Sequence, residues 1–398
     1  MLNLDILQVI LAFLPSKDLL SASCTAQVVR GLAIKELLSR PVTFYTSGYL
    51  QTWCQFVLAE DQRAAHIRDM SLSVEEGYYL YERPAKLLLT VLRRARLLRR
   101  LHITYAEAVL EADAEIPLAV SRLPALVSFE VEPFYPKTHE IIADILANMS
   151  SRLKFLSLHA DVASPDLQWN FDIPRALSQH LEHLQELHLA SPNGRGRVIR
   201  SSTMRTLKIS LNAEQPRPSE LFHDFPNLRN LFISADLRNV DPFETVQPDD
   251  YSALRSHRIS QQSGGHVWSS LDAVRGKVAQ LYVLGLTCPV RKLEIKNYRS
   301  NRHHMALEVL RHAHPRKLTI SLDPRATEGA TSLNELSLLA NPSSNRSHVT
   351  HLTVKMTVGY HGTSTQRLLV RRFCVFATVP ALTSSAERLP PTSGTIQN

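Results

Sequence analysis

Histidine is the residue of this chain most often grouped in ways that could hold a metal or move a proton. His180 and His183 stand three apart with His188 close behind, and His303, His304, His312 and His314 form a second group. A closed zinc site takes about four ligands, and no cysteine joins either group. Glu182 points elsewhere on the helix expected to carry His180 and His183, and adjacent His303 and His304 diverge in direction. No metal and no cofactor is therefore expected. Gly194-Arg195-Gly196-Arg197 could cradle an anion, but its spacing matches no phosphate loop and fits a turn. No nucleophile elbow, Walker sequence or dinucleotide fingerprint occurs, so the chain is not expected to be an enzyme.

The four cysteines, Cys24, Cys54, Cys288 and Cys374, are too scattered for a disulfide framework, which fits a reducing cytoplasm or nucleus. Met1 to Leu14 is apolar, yet no Lys or Arg precedes Lys17 and Asp5 stands where a positive region would open a signal peptide. No stretch approaches the roughly 18 apolar residues of a membrane helix, so no membrane partner is expected. The net charge of +8 raises nucleic acid as a partner. Its densest cluster, Arg93, Arg94, Arg96, Arg99 and Arg100, alternates with Leu92, Ala95, Leu97 and Leu98. That pattern is the solvated side of an amphipathic helix, with phosphate binding as the lesser alternative.

One phrase recurs from about residue 67 to 354: an apolar residue, two spacers, an apolar residue, one spacer, an apolar residue. Leu153-Lys154-Phe155-Leu156-Ser157-Leu158 is one copy and Leu184-Gln185-Glu186-Leu187-His188-Leu189 another. The pair at spacing two shares one face of a short strand, and the earlier residue lies in the turn that feeds it. Such a unit buries its apolar face only against a neighbour carrying the same phrase, which predicts a solenoid. Strands are expected at Met70/Leu72, Leu101/Ile103, Phe129/Val131, Leu156/Leu158, Leu187/Leu189, Leu207/Ile209 and Leu231/Ile233. Further strands are expected at Leu281/Val283, Leu293/Ile295, Leu318/Ile320, Leu336/Leu338 and Leu352/Val354. Only 12 residues separate Leu281 from Leu293, too few for a strand and its return, so one of that pair is misassigned. Helical returns are expected at 84–98, 137–149 and 302–313.

The expected fold is α/β: residues 1–40 a small helical domain, 41–360 an irregular leucine-rich-repeat solenoid of short parallel strands with returning helices, and 380–398 a disordered tail. Residues 234–277 read as a long insertion, either a binding loop with Phe243, Tyr251 and Trp268 as its contacts or a disordered excursion. In the first block Leu7, Ile10, Leu11 and Leu14 form a stripe, Pro15 ends the helix, and Ser16 and Thr25 are the expected caps of the next two.

Leu2, Asp5, Leu7, Ile10, Phe13-Leu14-Pro15, Asp18-Leu19-Leu20, Ser23, Arg30 and Leu32 follow the order and spacing of an F-box, and residues 2 to 32 resemble that three-helix motif. Asn3 replaces a usual proline, Thr25 and Ala26 an apolar-cysteine pair, and Val29 a common tryptophan. An N-terminal F-box ahead of divergent leucine-rich repeats is similar to a receptor architecture of fungal type. The resemblance implies a substrate-recognition subunit of a Skp–cullin–F-box ubiquitin ligase. It also implies that Leu2, Leu4, Leu7, Ile10, Leu14, Pro15, Leu19 and Leu20 meet a Skp-type adaptor.

In each strand the residue between the two core positions faces the open side of the sheet. That row reads His102, Glu130, Ser157, His188, Lys208, Phe232, Glu294, Thr319, Ser337 and Thr353. It mixes charges, so it fits a target protein better than nucleic acid, with His102, Glu130, His188, Lys208, Phe232 and Glu294 as contacts. A repeat scaffold without a ligase, or an RNA-binding solenoid, are the alternative functions.

Overall fold

The computed structural model describes residues 3–73, 80–134, 138–160, 173–190, 199–211, 217–235, 248–262, 267–322 and 349–355. It divides into two compact units, Met1–Thr245 and Val246–Asn398.

The first unit opens with helices α1 (Leu4–Phe13), α2 (Ser16–Ser23) and α3 (Gln27–Ser39). Then come β1 (Val42–Phe44), α4 (Ser47–Leu58), a 3₁₀ turn at Arg63–His66, β2 (Asp69–Ser73) and α5 (Glu82–Arg94). Next are β3 (Arg100–Thr104), α6 (Ala106–Leu110), α7 (Glu115–Ser121), β4 (Ser128–Phe134) and α8 (Thr138–Ala147). The unit continues with β5 (Phe155–Ala160), α9 (Ile173–Leu177), β6 (Glu186–Ala190), β7 (Thr206–Leu211), α10 (Pro218–Asp224) and β8 (Asn230–Ala235). The strands β1 to β8 pair in chain order, each parallel to the next. Leu101, Phe129, Leu156, Leu187, Leu207 and Leu231 stand in register and are buried. The phrase's upstream residue is equally committed: Leu98, Leu126, Leu153, Leu184, Met204 and Leu228 are at most 2% exposed. A repeat of this kind is the leucine-rich-repeat solenoid expected from the spacing.

The turns entering the strands share one hydrogen-bond device. Two successive N–H groups donate to a single carbonyl of the preceding repeat: Arg99 and Arg100 to Arg68, Val127 and Ser128 to Arg99, Lys154 and Phe155 to Val127. Gln185 and Glu186 continue it to Lys154, Arg205 and Thr206 to Gln185, and Arg229 and Asn230 to Arg205. Buried turn backbone is thereby satisfied by stacking alone, whatever the side chains.

The second unit contains α11 (Pro248–Gln262), β9 (Leu271–Lys277), α12 (Val278–Leu284) and β10 (Val290–Tyr298). It ends with α13 (His303–Ala313), β11 (Lys317–Leu322) and β12 (His351–Lys355), and its strands are likewise parallel in chain order. Thr350 and His351 donate to the Arg316 carbonyl, the same turn device.

Several expectations need correction. The expected strands miss the first one, since Val42–Phe44 forms β1 beside Met70–Leu72. Leu281 and Val283 lie on α12, a helix buried on every side, where period gives no clue to helix or strand. The 234–277 stretch is not a plain insertion, since it supplies α11 and β9, and Tyr251 and Trp268 are core residues at 3% and 4% exposure. It looked like a loop because α11 buries Arg255, Arg258 and Gln262 where an ordinary return would bury aliphatic side chains. Those three bind the last turn of α12. Arg255 Nη1 donates to the Tyr282 carbonyl at 2.6 Å, Arg258 Nη1 to Val283 at 3.2 Å, and Gln262 Nε2 to Gly285 at 2.7 Å. Last-turn carbonyls lack the regular helical donor, the Gly285 N–H reaching Tyr282 at 3.1 Å, and a cation there also suits the helix dipole. Gly285 turns at φ +62°, where a Cβ would also press on the Arg255 carbonyl at 3.4 Å.

Ser16 is the first residue of α2, and the Thr25 hydroxyl donates to the Ala22 carbonyl, so neither caps as expected. Asn3 does cap α1, its side chain accepting from the Asp5 N–H at 3.0 Å. Leu336/Leu338, Phe243, Gly194–Arg197, Cys374 and the 380–398 tail lie outside the described residues.

Candidate functional site

The three opening helices close on a small core of Leu11, Leu19 and Ala33, with Leu7, Leu14, Ala22, Leu32 and Leu37 packed against it. Arg40 ties α3 back to α1: its Nη2 donates to the Ala12 carbonyl at 3.1 Å, and its Nε to Glu36 at 3.3 Å. Leu7, Leu11 and Leu14 point inward. Ile6, Val9, Ile10 and Phe13 fall at the three-and-four spacing of one stripe and point outward, Phe13 at 85% exposure. Leu4, Leu20 and Val28 are also exposed. A helix apolar on two sides is ordinarily buried on both, and the described residues cover one.

This sorts the residues expected at the adaptor. Leu4, Ile10, Pro15 and Leu20 are exposed. Leu19 is fully buried and cannot face a partner, while Leu7 and Leu14 are half-buried and contribute to the head's own core. Leu2 lies outside the described residues. Ile6, Val9, Phe13 and Val28 were missed because a helix apolar all round does not reveal which stripe packs inside.

On the first unit's sheet, the open-face row is in register as expected: Ser71, His102, Glu130, Ser157, His188, Lys208 and Phe232. Its neighbours bind each other. Ser71 Oγ lies 3.1 Å from His102 Nδ1, Ser157 Oγ donates to Glu132 Oε1 at 3.1 Å, and His188 Nε2 lies 2.8 Å from Glu186 Oε1. Phe155 meets the His188 ring edge-on, centroids 4.9 Å apart. Burial pushes the Glu130 carboxyl up, the His102 charge opposing it and Glu132 adding to it. Burial pulls His188 down, against its bond to Glu186. Ser71 and His102 stand at nucleophile–base distance, but Thr104 lies 3.4 Å from the far nitrogen where a catalytic pair would have its orienting carboxylate. The arrangement can recognise a partner by hydrogen bonds and charge.

In the second unit the outward side chains run Arg275, Glu294, Thr319 and Thr353 across the four strands. Glu294 is held from both sides, by Arg275 Nε and Lys355 Nζ, each at 3.4 Å. Positions two before and two after this row share its face. They carry Lys277, Lys292, Lys296, Lys317 and Lys355, a concentration that reading only the central row overlooks. Ser337 lies outside the described residues.

The other groups do not assemble a centre. His180 is fully buried in a turn beyond α9, its Nε2 3.0 Å from the Leu146 carbonyl, and burial lowers its pKa. His303 bonds Tyr298 and His312 bonds Arg255, and no cluster of potential metal ligands is found among the described residues. Burial pushes the Cys54 thiol up to about 12 and Cys288 to about 11, so both are inert. A cleft of about 490 Å³ between α5 and α7 is lined by Arg93, Arg96, Arg122 and Glu115, and Arg93 pairs with Glu115. Arg94 and Arg100 are paired too, with Asp61 and Asp69, so much of the arginine cluster serves ion pairs. No helix among the described residues is long and apolar enough to cross a membrane.

No family model matches the chain, and no curated protein matches it. A chain of the solved structure described as "Crystal structure of Rad7 and Elc1 complex in yeast" aligns over 92% of this chain and 91% of its own, at 11% identity and TM-score 0.41. By its own strand order and core register, the chain is an α/β protein of leucine-rich-repeat type with three helices at its front.

Proposed function

We propose that the chain is a non-catalytic substrate receptor of a Skp–cullin–F-box type ubiquitin ligase, working in the cytoplasm or nucleus. The observation that carries this reading is the outward stripe Ile6, Val9, Ile10 and Phe13 on a helix whose opposite side already packs on Leu19 and Ala33. A preformed apolar face on a small helical head is what an adaptor interface requires. The open sheet faces hold the target protein, and the chain acts by raising the target's effective concentration near the transfer machinery. The resemblance of residues 2 to 32 to an F-box supplies the adaptor's class.

The test is co-purification with a Skp-type adaptor. The wild-type chain should retain the adaptor, and Ile10→Asp with Phe13→Asp should lose it while circular dichroism is unchanged. A folded wild-type chain that retains no adaptor ends this reading.

A further inference from the structure

The second unit's open sheet face breaks a rule of strand pairing. Like charges directly opposite each other on neighbouring strands are destabilising. Here Lys292 stands opposite Lys317, with His351 next in the same row, and Lys277 stands opposite Lys296. The face carries six Lys or Arg side chains (Arg275, Lys277, Lys292, Lys296, Lys317 and Lys355) against one carboxylate, Glu294. Glu294 is engaged by Arg275 and Lys355. Neither Lys292 nor Lys317 forms an ion pair among the described residues, and both are exposed. Lys277 and Lys296 have further partners, but Lys292 and Lys317, kept side by side without an ion pair among the described residues, mark a place where function overrides stability.

We infer that this face binds an acidic segment of a partner protein, a run of Asp or Glu side chains laid across β10 to β12 at the Lys292–Lys317–His351 row. Charge complementarity argues for a polyanion. Three features favour carboxylates over a nucleic acid backbone. Among the described outward positions of β9 to β12 His351 is the one ring, too few for successive bases to stack on. Five of the six cations are lysines, point charges without the planar fork that arginine offers phosphate. Glu294 at the centre would repel a continuous phosphate chain, while spaced carboxylates can straddle it. This inference deepens the proposed receptor reading by giving the chemistry of the target, and it rests on that reading only for the target's fate.

The probe is a fluorescent oligo-glutamate peptide, measured by anisotropy against the full chain, with an oligo-glutamine peptide and a nucleic acid duplex as comparisons. The glutamate peptide should bind, the glutamine peptide should not, and affinity should fall with added salt. Lys292→Gln with Lys317→Gln should weaken binding at least about tenfold. The thermal midpoint of that variant should stay level or rise, since the repulsion is relieved. Lys154→Glu, at an exposed turn of the first unit, should leave peptide binding unchanged. Equal peptide affinity in wild type and double variant overturns the inference, and so does a duplex that binds this face more tightly than the peptide. Loss of adaptor binding with peptide binding intact would remove the ligase reading and leave this one standing.

Discussion

Arg255 meets Tyr282 twice, donating to its carbonyl at 2.6 Å and lying over its ring with the guanidinium carbon 4.7 Å from the centroid. The same side chain reaches the Glu308 carbonyl at 3.3 Å, so one buried residue joins α11, α12 and α13. Arg255→Ala would remove the buried donor that joins the three helices and the cation over the Tyr282 ring, and should cost about 2–4 kcal/mol in urea unfolding. Arg255→Lys should recover less than half, because an ammonium cannot both stack and span two carbonyls.

The head separates stability from binding by residue. Leu19 is fully buried, and Leu19→Ala should cost about 2–5 kcal/mol. Phe13 is 85% exposed, and Phe13→Ala should change stability by no more than about 0.5 kcal/mol. Thermal melts of the two variants measured side by side check the contrast.

Acid should weaken the fold through its buried histidines. Burial holds His180 and His139 below their ordinary 6.5, so the unfolded chain takes up protons before the folded one. The stability they contribute is complete above 6.5 and is lost as pH falls through that value toward the lowered folded pKa. His180→Gln keeps a donor near the Leu146 carbonyl but does not titrate. Its stability should therefore decline less than wild type between about pH 7 and pH 5 in denaturant titrations.

Glu130 has the opposite sign. Burial, with Glu132 adding to it, raises its carboxyl above the ordinary 4.5, so the folded chain favours the protonated form. That favourable contribution is complete below 4.5 and disappears as pH rises through the raised value. Glu130→Gln should raise the melting temperature at neutral pH and give no advantage below 4.5. Melts at several pH values would show the difference closing.

The strands were legible because each repeats the same demand: Leu156 and Leu158 need Leu187 and Leu189 beside them, and nothing else in the chain alters that. The opening helices were legible as helices, but Leu19 and Phe13 could not be sorted, since both are apolar and only packing decides which is covered. Helix α11 was illegible because Arg255 and Gln262 look like solvent-facing residues until the last-turn carbonyls of α12 are seen beside them. On the open face, Lys292 and Lys317 escaped notice because the central row alone was read, and the like-charge contact arises only when the strands align.

The carbonyl that accepts two N–H groups from the following turn also sets an order of assembly. In the first unit each such turn, from residues 99 and 100 to residues 229 and 230, donates to a carbonyl already synthesised. A ribosome releasing this chain would therefore present each arriving segment of that unit with a finished template, and just the newest strand's edge would await its partner.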